Sequence, residues 1–426
     1  MSRTKKLLTF STAALAPWLL MSAVADAQDS DNFAGKTAIS MGGKTLTSFD
    51  ISFVDPAIGL YVLADRTNNA IDMVDTHQNL FLGFCGLNQF QGAKGSNDIS
   101  GPDGVLIRDH REIWAGDGDS TVKVFDVAGC DGTTTPKDVI KTGVPTDKRA
   151  DEMCYDPRDQ LIMVANNAAT PFPFVSLIST ASFPYSAKTP TRITFDGTNG
   201  TPKSAGIEQC VWSPRTGNFY ITAPDAQQVA VISPHTKTVV NKFDIPKANC
   251  DAPQGMAVGP DHDLLVGCNG NGSTTHSSVI IDERNGHILA TVANESGPDE
   301  VWFNPGNNHY FLARSAAFGG VQKLGIIDAE TRVADTDISI APAGKNAHSV
   351  AADSVTNKTF LPVPGGSGGT VCSAAGGSDT TGCLLVVTGK NDGDDKRDHG
   401  NDCAAQGAPV IGVNDGESQF MRGRCD

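Results

Sequence analysis

Seven stretches of this chain follow one plan: an apolar strand, a turn rich in Asp, Pro or Gly, a second apolar strand, then a small polar cluster. In order they are FDISFVDPAIGLYVLAD (49–65), PDGVLIRDHREIWAGD (102–117), ADEMCYDPRDQLIMVAN (150–166), IEQCVWSPRTGNFYITAPD (207–225), PQGMAVGPDHDLLVGCN (253–269), PDEVWFNPGNNHYFLAR (298–314) and AHSVAADSVTNKTFLPV (347–363). Equivalent positions are Asp50, Asp103, Asp151, Glu208, Gln254, Asp299 and His348, so the spacing runs 53, 48, 57, 46, 45 and 49 residues. Most copies lead into a third alternating strand, such as STVKVFD or QQVAVIS. A period of this length, with four short strands per unit, is that of propeller blades. One blade cannot bury both of its faces, so the units must stack radially about a channel. The expected fold is all-β, a seven-bladed β-propeller of four-stranded antiparallel blades. A six-bladed ring with one irregular unit is the alternative, and a β-sandwich pair does not explain the regular period. The last unit lacks an outermost strand, while KTAISM (36–41) precedes the first. The N-terminal segment is therefore expected to close the ring by completing the seventh blade.

The chain opens with a basic segment (Arg3, Lys5, Lys6), an apolar run from about Leu7 to Val24 and small residues at Ala25 and Ala27. That order is the order of a secretory signal peptide, with residues 1–27 removed. Residues 28–390 then form a single propeller domain, and 391–426 an irregular tail stapled by Cys403 and Cys425. No other run approaches the ~18 apolar residues of a membrane span. The expected location is the periplasm or the extracellular space, and the expected state a monomer. All ten cysteines follow the leader, and an even count in an exported chain reads as a disulfide set. Neither C-x-x-C nor C-x-x-C-H occurs, which disfavours zinc ribbons and covalent haem. Connectivity does not follow from sequence alone, but the repeat layout makes neighbours of Cys85 and Cys130, Cys154 and Cys210, Cys250 and Cys268, Cys372 and Cys383, and Cys403 and Cys425. Taking three basic residues and Asp26 from a formal charge of −15 leaves −17. Such an acidic surface argues against nucleic acid and anionic membranes as partners.

Propeller topology gives these acids a place to meet. Each inner strand starts at one face of the ring, and the loop after the second strand returns to that face. The strand-start residues therefore line one mouth of the channel, joined by Glu152, Gln209, Glu300 and Ser349 at the next position. The ends of the second strands, Asp65, Asp117, Asn166, Asp225, Asn269 and Arg314, are expected to converge there as well. Oxygen donors brought from separate, adjustable blades suit a hard cation, Ca²⁺ ahead of Mg²⁺. Among the strand starts, His348 is the only histidine, and a neutral imidazole there could serve as a general base. The other eight histidines fall mostly in turns and read as solvated. Arg314 either orients an anionic substrate or pairs with Asp299. ATPFPF (169–174) either walls an apolar pocket or packs on the next blade, and NDGDDKRDHGND (391–402) reads as a solvated tail rather than a calcium loop.

VAVISPHTKTVVNKFDI (229–245), with NFYITAPD before it, resembles the YVTN-type repeat of exported propellers, and PDGV and PDEV at strand starts resemble the metal-site motifs of SMP-30/gluconolactonase-like propellers. The likeness is one of repeat pattern over about residues 35 to 390. It implies a metal held by Asp103, Asp151, Glu208 and Asp299, although Asn is absent from the strand starts where that family uses it. The function expected on this basis is metal-dependent, lactonase-like hydrolysis. Water would be activated by Glu152, Glu300 or His348, with Arg314, Asn166 and Gln254 against a small-molecule substrate. The alternatives are a non-catalytic binding propeller that takes a small ligand or a protein, and a metal-assisted lyase.

Overall fold

In the computed structural model, the described residues are 33, 35–270, 276–315, 322–340, 348–366 and 368–389. The expected leader at 1–27, the expected tail at 391–426 and the expected Cys403–Cys425 pairing lie outside them. Seven antiparallel sheets follow one another along the chain, their inner strands at Ser52–Asp55, Val105–Arg108, Met153–Asp156, Cys210–Ser213, Pro253–Val258, Pro298–Asn304 and Ala351–Asp353. Six blades take four strands in chain order, and the sixth carries an added short strand at Ile338–Ser339. The seventh combines Ala351–Asp353, Lys358–Pro364 and Gly382–Thr388 with Gly35–Ile39 as its outermost strand, in register from Gly35 opposite Thr388 to Ile39 opposite Leu384. The expected completion of the last blade by the N-terminal segment is what the strands do.

The second strand of the first blade, Leu60–Asp65, explains why these strands read as continuous apolar runs. Side chains alternate between faces, and here both faces are buried. Tyr61 and Leu63 enter one core with residues of the sixth and seventh blades, among them Trp302, Phe311, Phe360 and Leu361. Leu60, Val62 and Ala64 enter another with Val105, Ile107, Ile113 and Phe125 of the second blade. Each junction between blades repeats this arrangement, and each fully buried aliphatic or aromatic side chain contributes about 1.5–3 kcal/mol. Close packing at the axis also demands Gly104. A Cβ there would lie 1.9 Å from the Asp151 carbonyl oxygen of the neighbouring blade.

A circuit of polar contacts ties the blades at the rim where the inner strands end. Going round, His110 pairs with Asp55 at 2.7 Å, the Tyr155 hydroxyl meets Asp109 at 3.2 Å, and Arg158 donates to the Pro214 carbonyl. Arg215 donates to Glu283 and to the Gly259 carbonyl at 2.8 and 2.7 Å, and Arg332 to Asp263 at 2.6 Å. The Asn304 amide donates to Asn357 at 3.2 Å, and Lys358 donates to the Thr76 carbonyl at 2.8 Å, which returns the circuit to the first blade. His110 and His262 are thus structural ties, the latter 2.8 Å from Glu283, and His309 is buried. The expectation that turn histidines are solvated fails at these three: His110 docks on the neighbouring blade, His262 bonds Glu283 of its own blade, and His309 opens a buried second strand. Four disulfides, Cys85–Cys130, Cys154–Cys210, Cys250–Cys268 and Cys372–Cys383, match the pairing expected from the repeats. Among the described residues, no helix is long and apolar enough to cross a membrane.

Candidate functional site

At the opposite mouth, the strand-start side chains meet as the topology requires. Asp50, Asp103 and Asp151, from three successive blades, bring carboxylate oxygens within 4.8 Å of one another. All three are buried. Two guanidiniums that the repeat pattern does not single out stand among them. Arg66 spans Asp50 and Asp103, with its Nε 2.9 Å from Asp103 Oδ1. Arg149 reaches Asp50 at 3.4 Å and Asp151 at 2.9 Å.

Local structure accounts for both. Asp65 accepts the Asn68 N–H at 3.0 Å, an Asx-type turn that bends the chain just after the second strand and sends Arg66 back toward the axis. Asn166, expected against substrate, is fully buried and donates to the Arg149 carbonyl at 3.1 Å. It positions the arginine.

The second-strand ends do not join this group. Asp65 pairs with Asn68, Asp117 with Lys123, and Gln254 accepts from the Asn269 amide. Arg314 donates to the Ser296 carbonyl at 2.9 Å and to Asp337 at 2.7 Å, with Glu295 at 3.3 Å. Its partner is therefore not Asp299, and with these donors engaged it has little left for an anionic substrate. The reason is geometric: neighbouring strands lie about 4.8 Å apart, so a residue ending the second strand stands one strand farther from the axis than a strand start.

His348 lies between two carboxylates, with Nε2 on Asp50 and Nδ1 2.7 Å from Asp299. Burial acts to lower its pKa, but Asp299 and Asp50 outweigh burial and raise it well above the usual histidine range. With both ring nitrogens donating to carboxylates it is an imidazolium, without the lone pair a general base needs. Its expected role as a base does not survive this placement.

The acids divide by their neighbours. Burial alone would raise Asp50, but Arg66, His348 and Arg149 together hold it well below the usual carboxylate range. Burial pushes Asp151 up to about 6 against the pull of Arg149, and raises Asp103 against Arg66. Burial raises Glu152 and Glu300 well above the normal range, helped at Glu152 by the neighbouring Glu300 and at Glu300 by Asp299, Asp50 and Asp151. Glu208 is raised by burial and then by Asp299 and Asp151. Gln209 reaches across from the fourth blade, accepting the Met256 and Val301 N–H groups at 2.7 and 3.1 Å where the fifth and sixth inner strands bulge.

Seven carboxyl groups (Asp50, Asp103, Asp151, Glu152, Glu208, Asp299, Glu300) thus face three cations (Arg66, Arg149, His348). Asp103 Oδ2 and Asp151 Oδ1 are buried without a hydrogen-bond partner. Of the four expected metal ligands, Asp103 and Asp151 sit in the close triad with Asp50, while Glu208 and Asp299 belong to the wider acidic group outside it.

No protein-family model matches the chain, and no curated protein matches it. Solved structures do. The WD40 propeller domain of Doa1 superposes with a TM-score of 0.58 at 12% identity, over 84% of this chain and 99% of that one. A structure of the mitotic checkpoint complex gives 0.58 at 11% identity, over 88% and 98%. The WD40 repeats of RRP9 give 0.59 at 8% identity, over 85% and 99%. The likeness is one of fold. It carries over the seven-bladed ring and leaves the chemistry of the mouth to this chain's own residues.

Proposed function

We propose that this chain is an exported ligand-binding propeller whose channel mouth holds a divalent cation, Ca²⁺ ahead of Mg²⁺. One observation carries the reading: buried carboxylates outnumber their cations, and two of their oxygens, Asp103 Oδ2 and Asp151 Oδ1, lack any hydrogen bond. An unpaired buried acid is costly, and a hard cation on oxygens from three blades relieves it. Asp103 and Asp151 would supply those free oxygens, with Asp50 completing the set. Arg66 and Arg149 already offset part of the charge, which favours moderate affinity. Export is supported by the four disulfides, which persist in oxidising compartments, together with the leader-like N-terminus. The acidic composition and the burial of Asp50, Asp103 and Asp151 favour a small-molecule ligand.

Binding is preferred to catalysis because His348 is tied as a cation. The test is metal analysis of the purified protein, followed by calorimetric titration of EDTA-treated protein with CaCl₂. Saturable binding that Asp103→Asn abolishes supports the reading, and binding unaffected by Asp103→Asn and Asp151→Asn refutes the ligand set. A second reading, lactonase-like hydrolysis, draws on Glu152 and Glu300, two carboxyl groups at the mouth raised well above the normal range by burial and neighbouring acids. A lactone panel with and without EDTA separates the two, and product mass distinguishes hydrolysis from a lyase step.

A further inference from the structure

Directly beneath the acidic layer, the channel holds a cavity of about 70 Å³. Its walls include Phe53, Met153, Tyr155, Trp212 and Trp302, and Glu152 forms part of its lining. Phe53 and Trp302 stand edge to face, centroids 5.5 Å apart at 78°, so they form two walls of a box. Phe53 and Met153 keep some exposure, so solvent reaches the chamber. The indole Nε1 of Trp212 is buried without a hydrogen-bond partner. The Arg158 guanidinium already lies 5.3 Å from the Trp212 ring centre, which leaves the Phe53–Trp302 pair as the open aromatic surface.

Aromatic faces attract a desolvated organic cation through the ring quadrupole, and Glu152 sets a carboxyl group at the edge of the box. A neutral apolar molecule would satisfy the rings and leave that carboxyl unanswered. A strongly hydrated metal ion would satisfy the carboxyl and waste the rings. A compact alkylammonium ion satisfies both: its methyl groups meet the rings and its charge faces Glu152. We infer that this cavity binds a small alkylammonium ion. The site uses none of the three aspartates assigned to the metal, so it can be tested apart from that assignment.

Beyond the leader the chain has three tryptophans, Trp114, Trp212 and Trp302, and two of them line the cavity. Intrinsic fluorescence therefore reports occupancy. Choline and its uncharged isostere 3,3-dimethylbutanol would be titrated into the mature protein at constant ionic strength, with calorimetry alongside. The expected result is saturable choline binding that is at least about tenfold tighter than that of the isostere. It should persist after EDTA treatment and weaken at least about fivefold in Trp302→Leu and in Glu152→Gln. The proposal is overturned if the isostere binds as tightly as choline, or if no saturable change appears up to about 0.1 M choline. The choline–isostere comparison uses the unaltered protein, so it decides the question even where a variant fails to fold. Loss of choline binding with calcium binding intact would reject this inference alone.

Discussion

Replacing Arg66 by Met removes the cation that spans two buried acids while keeping the length and apolar stem of the side chain. Arg66 is 2% exposed, and its partners Asp50 and Asp103 are 1% and 0% exposed. At about 4 Å and an effective dielectric near 20, each lost ion pair removes about 4 kcal/mol of attraction. Part of that returns, because the guanidinium no longer has to be desolvated, and the net cost is about 3–5 kcal/mol. For a cooperative unit spanning residues 35–389, the unfolding entropy is about 0.7 kcal/mol/K, so the melting temperature falls by about 4–7 °C. Urea unfolding followed by circular dichroism, in EDTA at neutral pH, would measure it. The sharper test is the second variant. In the parent protein Asp103→Asn breaks the bond to Arg66 and destabilises, whereas in Arg66→Met it removes an uncompensated charge and restores about 1–3 kcal/mol. An Arg66→Met protein within about 0.5 kcal/mol of the parent would refute the reasoning. So would an Asp103→Asn change that destabilises both backgrounds alike.

Three further outcomes follow from particular contacts. Gly104→Ala forces a Cβ against the Asp151 carbonyl oxygen at 1.9 Å and should cost about 1–3 kcal/mol in a thermal melt. Gly95→Ala, which meets nothing within 4 Å, should stay within about 0.5 kcal/mol. Burial acts to raise Glu112, but Lys137, Trp114 and Arg108 hold it down at about 2 against an ordinary 4.5. Its contribution of about 3 kcal/mol is therefore present above pH 4.5 and lost as the pH falls towards 2. Glu112→Gln should flatten that acid limb of the stability curve. Removing Cys85–Cys130, which closes 45 residues, should cost about 4 kcal/mol, against about 3 for Cys372–Cys383, which closes 11. Paired Cys→Ser variants compared by denaturant midpoint would check the order.

The repeat made the ring legible because each unit's apolar alternation serves two cores at once, and only radial stacking supplies two cores to every blade. The same register placed Asp50, Asp103 and Asp151 at one mouth, since a strand start is fixed by the strand itself. Arg66 and Arg149 were not legible. Both lie in turns, where one side chain (Asp65 bonding the Asn68 N–H, or Asn166 bonding the Arg149 carbonyl) decides which way the next residue points. A usable signal was available: with so many acids at one opening, the nearest basic residue in each flanking turn is the obvious counter-charge. Arg314 and Asn166 were misplaced for a related reason, because linear distance from a strand end says nothing about which ring of strands it occupies. His348 was placed correctly, but its protonation depends on Asp50 and Asp299, two residues brought to it only by closure.

The two rims of this propeller balance charge differently, and the proposed function rests on that difference. At the rim where the inner strands end, ties such as Arg332 with Asp263 and Arg215 with Glu283 give each acid its cation, which is what a structural seam requires. At the mouth the acids exceed the cations, and Asp50, Asp103, Asp151, Glu152 and Glu300 are buried. Such an excess lowers stability, and local departures from self-consistency of this kind collect at functional sites. Only two things can discharge it, protons or a positively charged ligand. Burial pushes Glu152 and Glu300 towards the protonated form, and the free oxygens of Asp103 and Asp151 remain. A neutral ligand would leave that imbalance untouched, so the ligand proposed for the mouth is one chosen first by charge and only then by shape.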